Sequence, residues 1–199
     1  MSSVVPNPLL QSIVNATRAT FAARSASIML YDEKARQLEF VAVNGEGADT
    51  LIGRRLPIGT GVAGWVAVAR EPVAIEDVGS DPRFARGFAE TTGFVPSGLM
   101  AAPLLIEDRL LGVLSVLDRP QQARFTLPET QLLAAFALQA AYSLELIGQA
   151  QSHAEDLERR DGVESLREAI SRLDGPRREA AERLVQALVE LVSPVEPTG

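Results

Sequence analysis

The chain reads as an α+β protein: an antiparallel sheet made from β-hairpins, helices at both chain ends, and a long connection lying over the sheet as a lid. Three observations predict this. SASIMLYD (25–32) and LEFVAVN (38–44) are short β-compatible runs flanking the polar DEKARQ, which is a hairpin signature. GLMAAPLLI (98–106) and LLGVLSVLD (110–118) flank the turn EDR and are apolar enough to be central, largely buried strands. Long stretches of three-and-four spacing occupy the two ends of the chain.

Taken in order, 1–6 is a disordered lead. From 7 to about 24, Leu9, Leu10, Ile13, Val14, Thr17 and Phe21 mark one face of an amphipathic helix. The first hairpin follows and ends at Gly45 and Gly47, after which ADTLIG forms a brief helix. In 59–78, GTGVAGWVAVAREPVAIEDV, the glycines Gly59, Gly61 and Gly64 have the spacing G-x-G-x-x-G of a dinucleotide-binding turn. That chemistry needs a buried parallel strand before the glycines and a long helix after them. Neither flank complies: RRLPI, with its arginine pair and Pro57, is a poor central strand, and Pro72 halts the helix after about two turns. Gly59 and Gly61 are therefore read as turning the chain, and Gly64 as letting the short helix GVAGWVAVAR lie close against the sheet.

VAIEDV is a further strand, and SDPRFARGFAETTGFVPS (80–97), with helical spacing between Phe84 and Phe88, is the lid. After the second hairpin, Thr126 can cap a long helix whose first turn accommodates Pro128. Leu132, Leu133, Phe136, Ala140, Leu144 and Ile147 cover a broad apolar face, so this end packs on the sheet, whereas the charged stretch beyond Gln151 projects. Gly162 is expected to interrupt it. Val163, Leu166, Ile170 and Leu173 form one stripe, Gly175–Pro176 a turn, and Leu184, Leu188 and Leu191 a second stripe. Residues 151–192 thus predict a helical hairpin in need of a partner, followed by a disordered tail, 193–199.

Composition excludes several functions. The absence of cysteine removes disulfides, thiolate metal sites and cysteine nucleophiles, and the single histidine, His153, cannot build a multi-histidine metal site alone. No metal site and no catalytic residues are predicted. A net charge of −7 disfavours nucleic acid as a partner. No apolar run approaches the roughly 18 residues of a membrane span, and the N-terminus has no secretory pattern, so a cytoplasmic protein with no membrane partner is expected.

The ordered set G-x-G-x-x-G-W-V-A, EPVAIEDV, SDPRF, TTGF, MAAPLLIEDRLLGVLSVLD and Phe125 before the long helix resembles a GAF domain over about 7–150. The resemblance implies a five- or six-stranded antiparallel sheet with the terminal helices on one face, and on the other a small-molecule pocket roofed by the connection after VAIEDV. It also implies a sensory or regulatory role. Members that bind cyclic nucleotides carry N-K and then F-x-x-x-D-E. The matching positions here are Asp118-Arg119, then Phe125 followed by Glu129-Thr130, so that motif is mostly lost. Members that hold a bilin through cysteine or reduce methionine sulfoxide use cysteine chemistry, which this chain lacks.

Under this resemblance Asp77 can accept hydrogen bonds from a ligand, with Phe84, Phe88, Thr91, Thr92 and Ser97 supplying stacking and polar contacts. In the alternative reading Asp77 and Asp81 cap the lid helix while Phe84 and Phe88 pin the lid to the core. Trp65 is read as a packing residue. His153, in QAQSHAEDL, faintly resembles a histidine-kinase phosphoacceptor segment, but Ala154 stands where an acidic residue is usual; it is read as a solvent-facing helix residue. The expected function is that of a non-enzymatic signalling protein, a homodimer able to bind a small organic ligand of unknown identity, with a separate output partner on 151–192. The alternative is a scaffold whose pocket has collapsed. No cofactor is specified.

Overall fold

Strand residues alternate between two buried faces, and that alternation organises the molecule. The computed structural model describes residues 8–118 and 126–172, together with Asp174, Gly175, Arg178, Glu179 and Arg183; over 150–167 and at Ala169 it describes the backbone alone. Residues Met1–Leu146 form one compact unit and Ile147–Gly199 a second.

In the first unit, α1 (Pro8–Thr20) leads into β1 (Ser25–Asp32) and β2 (Gln37–Gly45), followed by α2 (Ala48–Leu51), β3 (Arg55–Pro57), α3 (Gly61–Ala69) and β4 (Val73–Ile75). A 3-10 turn (Val78–Ser80) and α4 (Arg86–Thr91) precede β5 (Leu99–Ile106) and β6 (Arg109–Leu117), and α5 begins at Leu127 and continues to Ser171. The six strands form one antiparallel sheet in the order β3-β2-β1-β6-β5-β4. The expected α+β fold is therefore present, with its two hairpins side by side at the centre.

On one face, Ala26 and Ile28 of β1, Met100, Ala102 and Leu104 of β5, and Leu114 and Val116 of β6 pack with Leu10, Ile13 and Val14 of α1 and Leu133, Ala137, Ala140 and Ala141 of α5. Phe21 meets Phe136 edge-on at 6.3 Å, closing this layer. The intervening residues Met29, Leu99, Ala101 and Val113 face the other way and pack against Val62, Val66 and Ala67 of α3. Burial on both sides explains why these strands are almost continuously apolar.

Several boundaries differ from the sequence expectation. The first helix stops at Thr20, where the chain turns through Ala22 at φ 48°. RRLPI contains a three-residue edge strand, β3; the edge tolerates Pro57, and an Arg55–Glu39 ion pair of 2.6 Å braces it to β2. The strand in VAIEDV ends at Ile75. Phe84 lies before α4, so it and Phe88 do not share one helix. Gly162 does not interrupt α5, which runs 45 residues through it; one helical glycine costs only about 1 kcal/mol relative to alanine.

Thr126 caps α5 through Glu129, whose carboxylate accepts the Thr126 amide and hydroxyl, each at 2.9 Å. Within α5, Leu127–Gln149 has the length and apolarity of a membrane-crossing helix, which corrects the expectation that no stretch approaches one. One face of this stretch is buried in its own domain at Leu133, Ala137, Ala140 and Ala141. In the second unit Gly175 turns the chain at φ 53°, and Arg172 pairs with Glu168 at 2.9 Å. The lead 1–6, the stripe Leu184, Leu188 and Leu191, the tail 193–199 and the His153 side chain lie outside the described residues, as do Arg119 and Phe125.

Candidate functional site

On the face away from α1 and α5, the sheet and its covering segments border a partly open cavity of about 110 Å³. On the same scale a single water needs roughly 10–15 Å³. Ser25, Ser27 and Met29 of β1, Phe40 of β2, Leu99 of β5, and Ser115 and Leu117 of β6 form its floor. Phe84, Ala85, Phe88, Ala89, Thr92, Phe94 and Pro96 cover it. Thr60, Gly61, Val62 and Ala63 close one end. Among the described residues, no Asp, Glu, Lys, Arg, His, Asn or Gln belongs to this lining.

Glycine geometry places that end. Gly59 and Gly61 have φ of 83° and 70°, a region that side chains rarely adopt. A Cβ on Gly64 would stand 2.8 Å from the Gly59 nitrogen and 3.0 Å from its carbonyl carbon, so only glycine lets α3 sit so close to the turn that precedes it. The G-x-G-x-x-G spacing therefore builds a tight turn after an antiparallel edge strand, not a dinucleotide fingerprint. At the far end of α3, Arg70 takes a left-handed conformation with its amide on the Val66 carbonyl, and Pro72 follows.

Among the polar floor residues, Ser27 and Ser115 stand directly opposite each other on β1 and β6, 2% and 6% exposed. Neither hydroxyl has a hydrogen-bond partner among the described residues. The neighbouring Ser25 is different, since its hydroxyl donates to the Glu46 carbonyl at 2.8 Å. Thr92 likewise spends its hydroxyl on the lid itself, donating to the Ala89 carbonyl at 2.7 Å.

The lid is fastened at several points. Phe88 stacks on Phe40 with ring centres 6.2 Å apart, and the Arg54 guanidinium lies 6.0 Å from the Phe88 ring while donating to the Thr91 hydroxyl at 2.7 Å. Arg83 lies 4.4 Å over Trp65 and pairs with Asp81 at 2.6 Å. Arg24 lies 5.2 Å from the Phe94 ring.

Of the six residues singled out in the sequence, Phe84, Phe88 and Thr92 line this cavity. The other three lie outside the lining. Asp77 is exposed and caps the 3-10 turn, accepting from the Gly79 amide at 3.0 Å and the Ser80 hydroxyl at 2.6 Å. Those bonds, the Ser80 hydroxyl foremost, hold its carboxyl below the ordinary carboxylate range against partial desolvation. Asp81 is lowered in the same way, chiefly by Arg83. Thr91 is exposed and donates to the Phe88 carbonyl at 2.7 Å. Ser97 is exposed, and its amide donates to Asp118 at 2.7 Å. Asp118 also accepts the Gly98 amide, at 2.9 Å, and Glu129 caps α5, so two positions matched to the cyclic-nucleotide motif hold local structure.

Sequence reasoning missed the floor and the α3 end. The available signal was a serine at an odd-numbered position of each central apolar strand, Ser27 and Ser115, where every neighbour is apolar or small.

The GAF domain family matches residues 6–144. A stretch of 144 residues, 66% of the chain, is 26% identical to the "probable 3',5'-cyclic phosphodiesterase pde-5" of Caenorhabditis elegans, of whose length the match spans 19%. The fold is similar to the GAF domain of a phosphoenolpyruvate-protein phosphotransferase from Coxiella burnetii (21% identity, TM-score 0.65, covering 76% of this chain and 88% of that one). It is also similar to a domain of a putative two-component sensor histidine kinase protein from Sinorhizobium meliloti (26% identity, TM-score 0.55, 74% and 96% covered). The matched stretch runs from α1 through both hairpins, the covered cavity and the sheet-packed part of α5, and on that footing the chain belongs to the GAF domain family, whose relatives here include signalling proteins.

Proposed function

We propose that this GAF domain, taken as 7–150, is a non-catalytic cytoplasmic regulatory module. It binds a small organic molecule beneath its lid and pairs with a second copy of itself. It signals to a separate protein through the helical extension 151–192.

One observation carries the ligand reading: a cavity of about 110 Å³ lined by Phe40, Phe84, Phe88 and Phe94, with two floor serines, 2% and 6% exposed, whose hydroxyls have no partner among the described residues and open onto the cavity. A pocket filled by its own side chains would not leave polar groups facing open space, because burying a hydroxyl without a partner costs free energy. Pairing is supported by a second apolar stripe on α5, opposite the buried one. Ala135, Leu138, Tyr142 and Leu146 follow at three and four residues and are exposed, the last three by 48%, 56% and 66%. The non-catalytic reading rests on composition, since no cysteine and one histidine leave few nucleophile–base pairs to assemble.

Native mass spectrometry of the purified chain tests the reading. A dimer carrying extra mass that is lost on denaturation supports it, and a ligand-free dimer supports the scaffold alternative instead. Truncation after residue 150 should leave a folded domain that no longer holds the output partner; unchanged partner binding would remove the extension from the mechanism.

A further inference from the structure

We infer that the cavity takes a small aromatic monocarboxylate, its carboxylate against the first turn of α3 and the Ser27–Ser115 pair and its ring among the phenylalanines. This rests on the reading of the cavity as a ligand site.

Four observations converge on that chemistry. Only the first turn of α3 reaches the cavity, so the cavity lies at the N-terminal end of this nine-residue helix. The Thr60 side chain makes no cap, and the amides of Gly61, Val62 and Ala63 have no protein acceptor among the described residues. Such an end carries free donors and about half a positive charge, which favours an anion. In the floor, Ser27 and Ser115, each more than nine-tenths buried as a residue, offer two more hydroxyls that have no partner among the described residues and open onto the cavity. The donors therefore come from the helix end and from the centre of the sheet, elements far apart in sequence.

The rest of the lining selects the body of the ligand. Four phenylalanine rings favour a flat apolar group, and among the described residues no charged or amide side chain lines the cavity to read the hydrogen-bonding edge of a purine or to balance a second negative charge. One anionic group on a ring satisfies the donors and leaves no polar part of the ligand in apolar surroundings.

Titration calorimetry on the full chain provides the test, with benzoate and phenylacetate as probes and benzamide and benzyl alcohol as their neutral counterparts. The carboxylates should bind at least tenfold more tightly than the neutral probes. Ser27→Ala and Ser115→Ala should each weaken carboxylate binding by roughly ten- to a hundredfold, the range for a hydrogen bond to a charged group. These truncations remove no internal hydrogen bond, and circular dichroism verifies that both variants fold. Equal affinity for the neutral probes would overturn the carboxylate assignment while leaving the ligand site intact. Carboxylate binding unchanged in both variants would overturn the placement, and no binding of any probe at millimolar concentration would overturn the inference altogether. The ligand-site reading then stands or falls separately, on bound mass in the native spectrum.

Discussion

Gly64→Ala is the sharpest test of how α3 is positioned. The added methyl would meet the Gly59 nitrogen at 2.8 Å, the Gly59 carbonyl carbon at 3.0 Å and the Pro57 oxygen at 3.2 Å. All three are backbone atoms, so no side chain can swing aside; either the helix or the turn must move. Overpacking of this kind costs about 1–3 kcal/mol, and contact with backbone belongs at the upper end. Replacing a helical glycine by alanine returns about 1 kcal/mol. The net loss is therefore about 2 kcal/mol, a fall in Tm of about 4–8 °C for a chain of this size. Gly87→Ala is the matched control: it also lies within a helix, yet its Cβ would meet nothing within 4 Å, so it should be neutral or stabilising by up to about 1 kcal/mol. Thermal and urea unfolding followed by circular dichroism compares the pair. Should Gly64→Ala prove as stable as the parent, the close approach of α3 to the Pro57–Gly59 turn, and with it the placement of the first turn of α3 at the cavity, would be refuted.

Three other outcomes follow from the geometry. Leu133→Ala, at a fully buried site between α5 and the sheet, should cost about 2–5 kcal/mol, read as a shift in urea midpoint at constant m; a loss under 1 kcal/mol would mean that α5 does not seal this face. Asp77 and Asp81 have depressed native pKa values, so any stability they contribute is complete above the unfolded value of roughly 3.9 and is lost as pH falls through the native ones. Asp77→Asn should accordingly lose part of the acid-side slope of Tm against pH, and an identical profile would argue against a folded-state role for the Asp77 cap. Leu138→Glu combined with Tyr142→Lys should abolish dimer formation in sedimentation velocity while leaving the thermal transition within about 2 °C, because both residues are half-exposed surface positions; an intact dimer would place the interface elsewhere.

The hairpins were legible because their signal is local: SASIMLYD and LLGVLSVLD are single runs bounded by polar turns, and their observed limits fall within a residue or two of those expected. The stop of α3 before Pro72 was equally local. What escaped was set by competition between elements. β3 is three residues held by its neighbour rather than by propensity, and Gly162 stays helical because one weak residue does not outweigh the propagation of a long helix. The same division holds for the cavity. Phe84, Phe88 and Thr92 share one continuous segment and could be nominated together, whereas Ser27, Phe40, Gly61 and Ser115 meet only after the sheet forms. Asp77 was singled out as a strand-end residue, but β4 ends two positions earlier and Asp77 starts a turn instead.

The two-sided burial of β6 has a mechanical consequence. Ser115 touches the cavity, while Leu114 and Val116, its immediate neighbours in the chain, are wedged into the layer containing α1 and α5. One peptide thickness thus separates whatever occupies the cavity from the long helix. Because close-packed interiors transmit displacement rather than absorb it, a molecule pressing on Ser115 would bear on Leu114 and Val116, which pack in the layer of α1 and α5. On the proposed ligand reading, the strand would act as a rocker, its stroke expressed on the far side of the sheet as a change in the seat of the helix.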